Sequence, residues 1–208
     1  MKIERIIRKD EKNVTVFFDN GEKLILSEDV FFKCGLRKGD EVSEERFSFF
    51  VEKNILYYIK QRALSFISRR YHSERELLIK LKSKRYDERL IKIVLADLKE
   101  KKFIDDKIFA THYIEEKSNR KKWGKNKIKA GLISKGVDSK IIDDLNSEFE
   151  NNKSESELAY ELAEKKLIQL RKRNLDKKKV YNRINNFLLT RGFEFDVIKE
   201  VCQRLLKS

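Results

Sequence analysis

The groups in this 208-residue chain best suited by type and spacing to do chemistry are cations. Arg120, Lys121, Lys122, Lys125, Lys127 and Lys129 fall between Asn119 and Lys129, around Trp123 and Gly124. A helix opening at Gly124 presents free backbone N–H groups beside these lysines, and that pairing suits a phosphate or carboxylate. Trp123 has two readings: a face for stacking on a base, or an indole packed between helices. Arg171-Lys172-Arg173 with Lys177-Lys178-Lys179 forms a second cluster. Arg69, Arg70 and Arg75 with Lys82, Lys84 and Arg85 form a third. One cluster alone is usually a solvated helix face. Their recurrence along the chain predicts a basic strip that meets an anionic partner.

Other chemistries lack their parts. Asp105-Asp106 and Asp143-Asp144 resemble halves of a metal site, but no His or Glu completes a ligand set at recognisable spacing. Helix capping and solvation account for both pairs. His72 and His112 stand apart, with no Ser or Cys nucleophile pattern beside them. There is no GxxxxGK[ST] loop, so ATP hydrolysis by this chain is not expected. The expectation is a non-enzyme with no catalytic residue, no metal and no cofactor.

Charge and composition narrow the class further. Lys and Arg number 49 against 35 Asp and Glu, a net +14. Residues 1–44 hold nine basic and ten acidic side chains, so the positive excess belongs entirely to the later part. Fourteen Phe and seven Tyr, within 40% hydrophobic residues, are too much apolar material for a disordered polyelectrolyte. Cys34 and Cys202 are far apart and form no CxxC unit, which points to a reducing compartment. No 18-residue apolar run occurs, and the opening MKIERIIRKD lacks the apolar core of a signal peptide. A cytoplasmic protein without a membrane partner is expected.

The elements that must carry these side chains change character near residue 45. Before it, Ile3 to Ile7, Val14 to Phe18 and Lys23 to Leu26 read as strands, with a tight turn at Asp19-Asn20-Gly21. A short helix over Ser27 to Cys34 ends at Gly35. From Ser43 onward the pattern is helical, with Phe47, Phe50 and Val51 on one face, as are Ile55, Tyr58, Ile59, Arg62, Phe66 and Ile67 with Arg62 at the edge of the stripe.

The remainder repeats. Segments anchored at Tyr86, Val137 and Phe193 superpose: Leu77, Ile128 and Ile184 stand nine residues earlier, and Leu81, Leu132 and Leu188 five earlier. Ile91, Ile142 and Ile198 follow at five, then Val94, Leu145 and Val201 at eight. Lys84-Arg85, Lys135-Gly136 and Arg191-Gly192 precede the anchors, and Asp87, Asp138 and Glu194 follow as helix caps. Ser73 with Glu76 makes a capping box. A further helix precedes each pair, over Ile55 to Arg70, Phe109 to Lys117 and Leu158 to Leu170. The fold expected is mainly α, three tandem three-helix repeats behind a small β-rich module. Its boundaries are 1–45 for the module, 46–106 for the first repeat with its leading helix, then 107–151 and 152–208.

These repeats carry a family resemblance. Ser73-Glu74-Arg75-Glu76-Leu77, Lys80-Leu81, Lys84-Arg85-Tyr86, Val94 to Leu98 and Phe103-Ile104-Asp105-Asp106 resemble the RecX family of bacterial regulators of the RecA recombinase. So do Phe109-Ala110, Trp123-Gly124, Ile128, Leu132 and Lys135-Gly136-Val137. The resemblance is strong over residues 60 to 150 and thinner in the third repeat. Members usually carry Gly where Arg85 and Lys102 stand. A side chain there costs about 1 kcal/mol if φ is positive.

The resemblance implies a cytoplasmic, non-catalytic protein that binds in the groove of the RecA–DNA filament. There it hinders filament growth and suppresses ATP hydrolysis and strand exchange, in homologous recombination, DNA repair and the SOS response. It brings no site motif to transfer. The basic clusters above are therefore the expected partner surface, touching RecA and, weakly and without sequence preference, single- or double-stranded DNA. A monomer is expected. The alternative is a helix-turn-helix-type module acting directly on DNA; such readers usually pair as symmetric dimers, which three unequal repeats do not suit.

Overall fold

The computed structural model describes residues 1–8, 10–150, 155–173 and 175–206, so the expected boundary at 151–152 lies outside them. Two compact units divide the chain: one of 1–70 with 77–103, the other of 71–76 with 104–208.

In the first unit, strands β1 (Ile3–Arg8), β2 (Asn13–Phe18) and β3 (Lys23–Ser27) form an antiparallel sheet in the order β1-β2-β3. Alternation turns Val16, Phe18, Leu24 and Leu26 inward, onto Ile3, Leu36, Val42 and Phe50, and Val14 is buried as well. Gly21, at φ 84°, supplies the tight turn before β3. Helix α1 (Glu28–Cys34) starts at the Ser27 cap and stops at left-handed Gly35. Helix α2 (Glu44–Ile67) runs unbroken from its Ser43 cap.

The buried stripe of α2 differs from the one its sequence suggests. It runs through Phe50, Asn54, Ile59 and Ala63. Tyr58 is exposed, with its hydroxyl donating to Asn13 Oδ1 at 2.6 Å. The cause is the sheet edge. Asn54 accepts the Ser27 N–H and donates to the Ile25 carbonyl, both at 2.8 Å, satisfying backbone groups of edge strand β3. Helix α4 (Glu88–Glu100) packs on α2 and buries Leu90, Ile91, Val94, Leu95 and Leu98.

The remaining helices are α3 (Glu74–Lys82), α5 (Asp106–Glu115), α6 (Lys125–Ser134), α7 (Ser139–Asp144), α8 (Asn146–Glu150), α9 (Glu155–Arg171), α10 (Lys177–Arg191) and α11 (Phe195–Leu206). A π-helical turn, Glu116–Arg120, extends α5. Every repeated apolar position, from Leu77, Ile128 and Ile184 to Val94, Leu145 and Val201, is buried. Among the anchors Val137 and Phe193 are buried, and Tyr86 is half-buried. The residue before each anchor is left-handed: Arg85 at φ 65°, Gly136 at 80° and Gly192 at 87°. Lys102 is left-handed as well, at 59°. Arg85 and Lys102 therefore each carry a strain of about 1 kcal/mol where glycine carries none.

Candidate partner-binding surface

The basic clusters sit on helix ends, so the way those ends are built decides which cations are free. Ser73 Oγ donates to the Lys135 carbonyl at 2.7 Å, and the Gly124 N–H donates to the Arg191 carbonyl at 2.9 Å. Ser73 and Gly124 occupy the same repeat position, as do Lys135 and Arg191. The next N–H groups follow suit. That of Glu74 goes to Asp106 Oδ1 at 2.9 Å, and that of Lys125 to Glu155 Oε1 at 2.8 Å. Asp106 and Glu155 each open the first helix of the following repeat. Each repeat thus completes a helix start in the one before it.

This junction corrects one expectation. Helix α6 does open at Gly124, which is its N-cap, but its first N–H groups are not free for an anion. The Gly124, Lys125 and Asn126 amides are taken by Arg191, Glu155 and Gly192. The approach is so close that a Cβ at Gly124 meets the Gly192 carbonyl, and one at Gly192 meets the Lys127 backbone.

The first cluster is largely engaged in the same packing. Lys122 pairs with Glu161 at 2.6 Å and itself adopts a φ of 52°. Lys127 Nζ donates to the Thr190 carbonyl at 3.0 Å and lies over the Trp123 ring, with Lys117 also at the indole. Trp123 is half-buried against the core of Phe109, Ile128, Leu132 and Ile142. Lys125 and Lys129 extend over Phe149. Lys121 is exposed.

The second cluster faces solvent. Arg171, Lys172, Arg173, Lys177, Lys178 and Lys179 are all exposed at the turn from α9 into α10, and Lys179 pairs with Asp176. Three lysines in the first turn of α10 oppose the positive end of the helix dipole, at a few tenths of a kcal/mol each. The Asp176 cap offsets part of this, and the hydrogen bond from the Lys179 backbone N–H, with the Lys179 side chain next, holds its carboxyl below the usual carboxylate value. These charges do not serve the helix that bears them. In the third cluster Arg69, Arg70, Lys84 and Arg85 are exposed in the first unit, with Lys82 on Glu88 at 2.6 Å. Arg75 is exposed in the second unit, its aliphatic stem beside Gly136.

Sequence reasoning missed the roles of Asp106, Glu155 and Asn54, and the left-handed Lys122. The two carboxylates did leave a signal, an acidic residue opening the first helix of both later repeats. Among the described residues, no three His, Cys, Asp or Glu side chains gather in a way that could hold a metal ion. No described helix is long and apolar enough to cross a membrane.

These features define a tandem three-helix-repeat protein that exposes basic side chains at several of its helix ends. The chain belongs to the RecX family: models of the first, second and third RecX three-helix domains match residues 60–98, 105–145 and 154–202. It is similar to regulatory protein RecX of Clostridium acetobutylicum, 35% identical over 97% of this chain and 94% of that one. Regulatory protein RecX of Clostridium tetani is also 35% identical, over 100% and 94%. A crystal structure of regulatory protein RecX aligns with a TM-score of 0.78 and 25% identity, covering 96% of this chain and 98% of its own. A second, of RecX from Lactobacillus salivarius, gives 0.65 and 28% identity, covering 74% and 97%.

Proposed function

We propose that this chain regulates the RecA recombinase by binding its filament on DNA, and that it restrains filament growth, ATP hydrolysis and strand exchange. Family membership supports the partner. The observation that carries the mode of action is the exposed cluster Arg171-Lys172-Arg173 with Lys177-Lys178: its two lysines weaken the start of α10, and charges kept at that cost serve an outside anion. That anion is DNA phosphate or acidic filament surface, met with Lys121 and the cations of the third cluster as further contacts. Several weak contacts act together, so no single one is indispensable. The protein works as a cytoplasmic monomer without catalysis of its own, and its attraction to DNA alone is weak and salt-dependent.

A DNA-dependent ATPase assay of RecA, with and without this protein, tests the proposal. Suppression that grows with protein concentration is expected. An unchanged rate, together with tight binding to one duplex sequence, points instead to a direct DNA reader.

A further inference from the structure

The first unit contains a cleft that the basic clusters do not explain. Its volume is about 790 Å³, and it lies between α1, the front half of α2 and the later part of α4. The floor is apolar. Phe49 and Ile93 are exposed there, at 52% and 44%, beside buried Phe50, Val30 and Val94. The rim is cationic: Lys33, Arg46, Lys53 and Lys60 face a single carboxylate, Asp97.

That carboxylate is already committed. Asp97 binds Lys60 at 2.7 Å and also Lys101. Lys33, Arg46 and Lys53 make no ion pair among the described residues; Lys53 lies over the Phe49 ring and Arg46 over that of Phe50. Exposed apolar surface ringed by cations, three of them without an ion pair, is not served by water or small inorganic ions alone. It matches a segment carrying apolar side chains on one face and carboxylates on the other. A nucleic acid strand fits less well, because Phe49, the exposed ring, is already covered by Lys53, while Phe50 is buried and Tyr57 half-buried. Most of the lining precedes residue 60, where the three RecX domain models begin.

We infer that this cleft is a docking site for an acidic, amphipathic peptide segment of a partner protein. The inference stands apart from the RecA reading, because it requires only the segment and this chain. Carboxylates engage Lys33, Arg46 and Lys53, and aliphatic side chains cover Phe49 and Ile93. Cys34 lines the same cleft, whereas Cys202 is fully buried, so Cys34 reports occupancy.

The test uses the full chain and a fluorescein-labelled helical peptide of Glu, Ala and Leu, with Leu at i, i+3, i+4 and i+7. Saturable binding by anisotropy is expected, with slower iodoacetamide modification of Cys34. Phe49→Asp and Lys53→Glu should each weaken binding by about tenfold or more, as loss of an interface anchor does. Both residues are exposed, and circular dichroism checks that the variants fold. Lys172→Glu with Arg173→Glu, remote in sequence and outside the lining, should leave binding within about twofold. The inference is overturned if those remote reversals weaken binding as much, or if a peptide with Ala in place of Leu binds as well. It is also overturned if neither peptide binds, or if a dimer forms that Phe49→Asp dissolves, since a second copy is then the occupant.

Discussion

The side-chain carboxylate of Glu155, first residue of α9, accepts the backbone N–H of Lys125, first residue of α6, at 2.8 Å. Thirty residues separate the two, yet the bond does what a local N-cap does for an ordinary helix. Asp106 repeats it on Glu74.

Removing these remote caps should cost what local caps cost. Glu155→Ala and Asp106→Ala each leave a helix-start amide unpaired, for about 1–2 kcal/mol. Glu155→Gln keeps the acceptor oxygen and should lose clearly less. Urea unfolding monitored by circular dichroism separates the three. Equal losses for Ala and Gln would show that the charge, not the bond, matters.

The pH dependence at Glu155 runs against that of most carboxylates. Burial, and Glu194 nearby, push its carboxyl above the ordinary value of 4.5, while Lys125 pulls it partly back. Protonation is thus favoured in the folded state, and its contribution is fully present below 4.5 and lost as pH rises through the raised value. Asp97 is the opposite case, lowered below 3.8 by Lys101 and Lys60. Its contribution is present above 3.8 and lost as pH falls through the lowered value. The loss in Glu155→Gln relative to wild type should therefore be smaller at pH 7 than at pH 4, where the protonated wild-type carboxyl contributes fully. The loss in Asp97→Asn should shrink only at lower pH.

Backbone strain offers a third test. Lys102→Gly relieves a left-handed lysine outside the basic clusters and should stabilise the protein by up to about 1 kcal/mol. Gly192→Ala should do the reverse by more than that, since its Cβ meets the Lys127 backbone as well as an unfavourable φ. Gly136→Ala should fall between, because the obstacle is the flexible Arg75 side chain. Melting temperatures rank the three.

For the partner surface, Arg171→Glu, Lys172→Glu and Lys178→Glu together should weaken suppression of RecA ATPase, most strongly at low salt. The helical signal should be unchanged, since all three side chains are exposed. A triple variant as potent as wild type at every salt concentration removes this cluster from the site. Lys122→Glu is a poorer probe: it breaks the Glu161 pair and damages the fold directly.

The core was legible because burial repeats. Leu81, Leu132 and Leu188 announce themselves by apolar type at fixed spacing, and the left-handed turns by Gly136 and Gly192. What stayed hidden are polar groups whose partners lie far along the chain. Asn54 interrupts an apolar stripe because a sheet edge must be satisfied, and nothing in its neighbours says so. Asp106 was readable as part of a local cap, which concealed its bond to Glu74. The cations around Trp123 were readable as a cluster, but their engagement with Glu161 and Thr190 depends on the packing of the third repeat, and that with Phe149 on the end of the second. The family match over 154–202 likewise reaches a repeat whose motifs are sparser than those of residues 60–150.

Borrowed caps also impose an order on biosynthesis. A nascent chain cannot finish the α6 start until Glu155 has left the ribosome, nor the α3 start until Asp106 has. Helix α10 needs no such donor, because Asp176 lies beside it in sequence. Growth is therefore ratcheted, each repeat held provisional by the absence of its successor, and only the last can close alone. In stalled nascent chains, amide exchange at Lys125 should stay fast until Glu155 emerges and then slow abruptly.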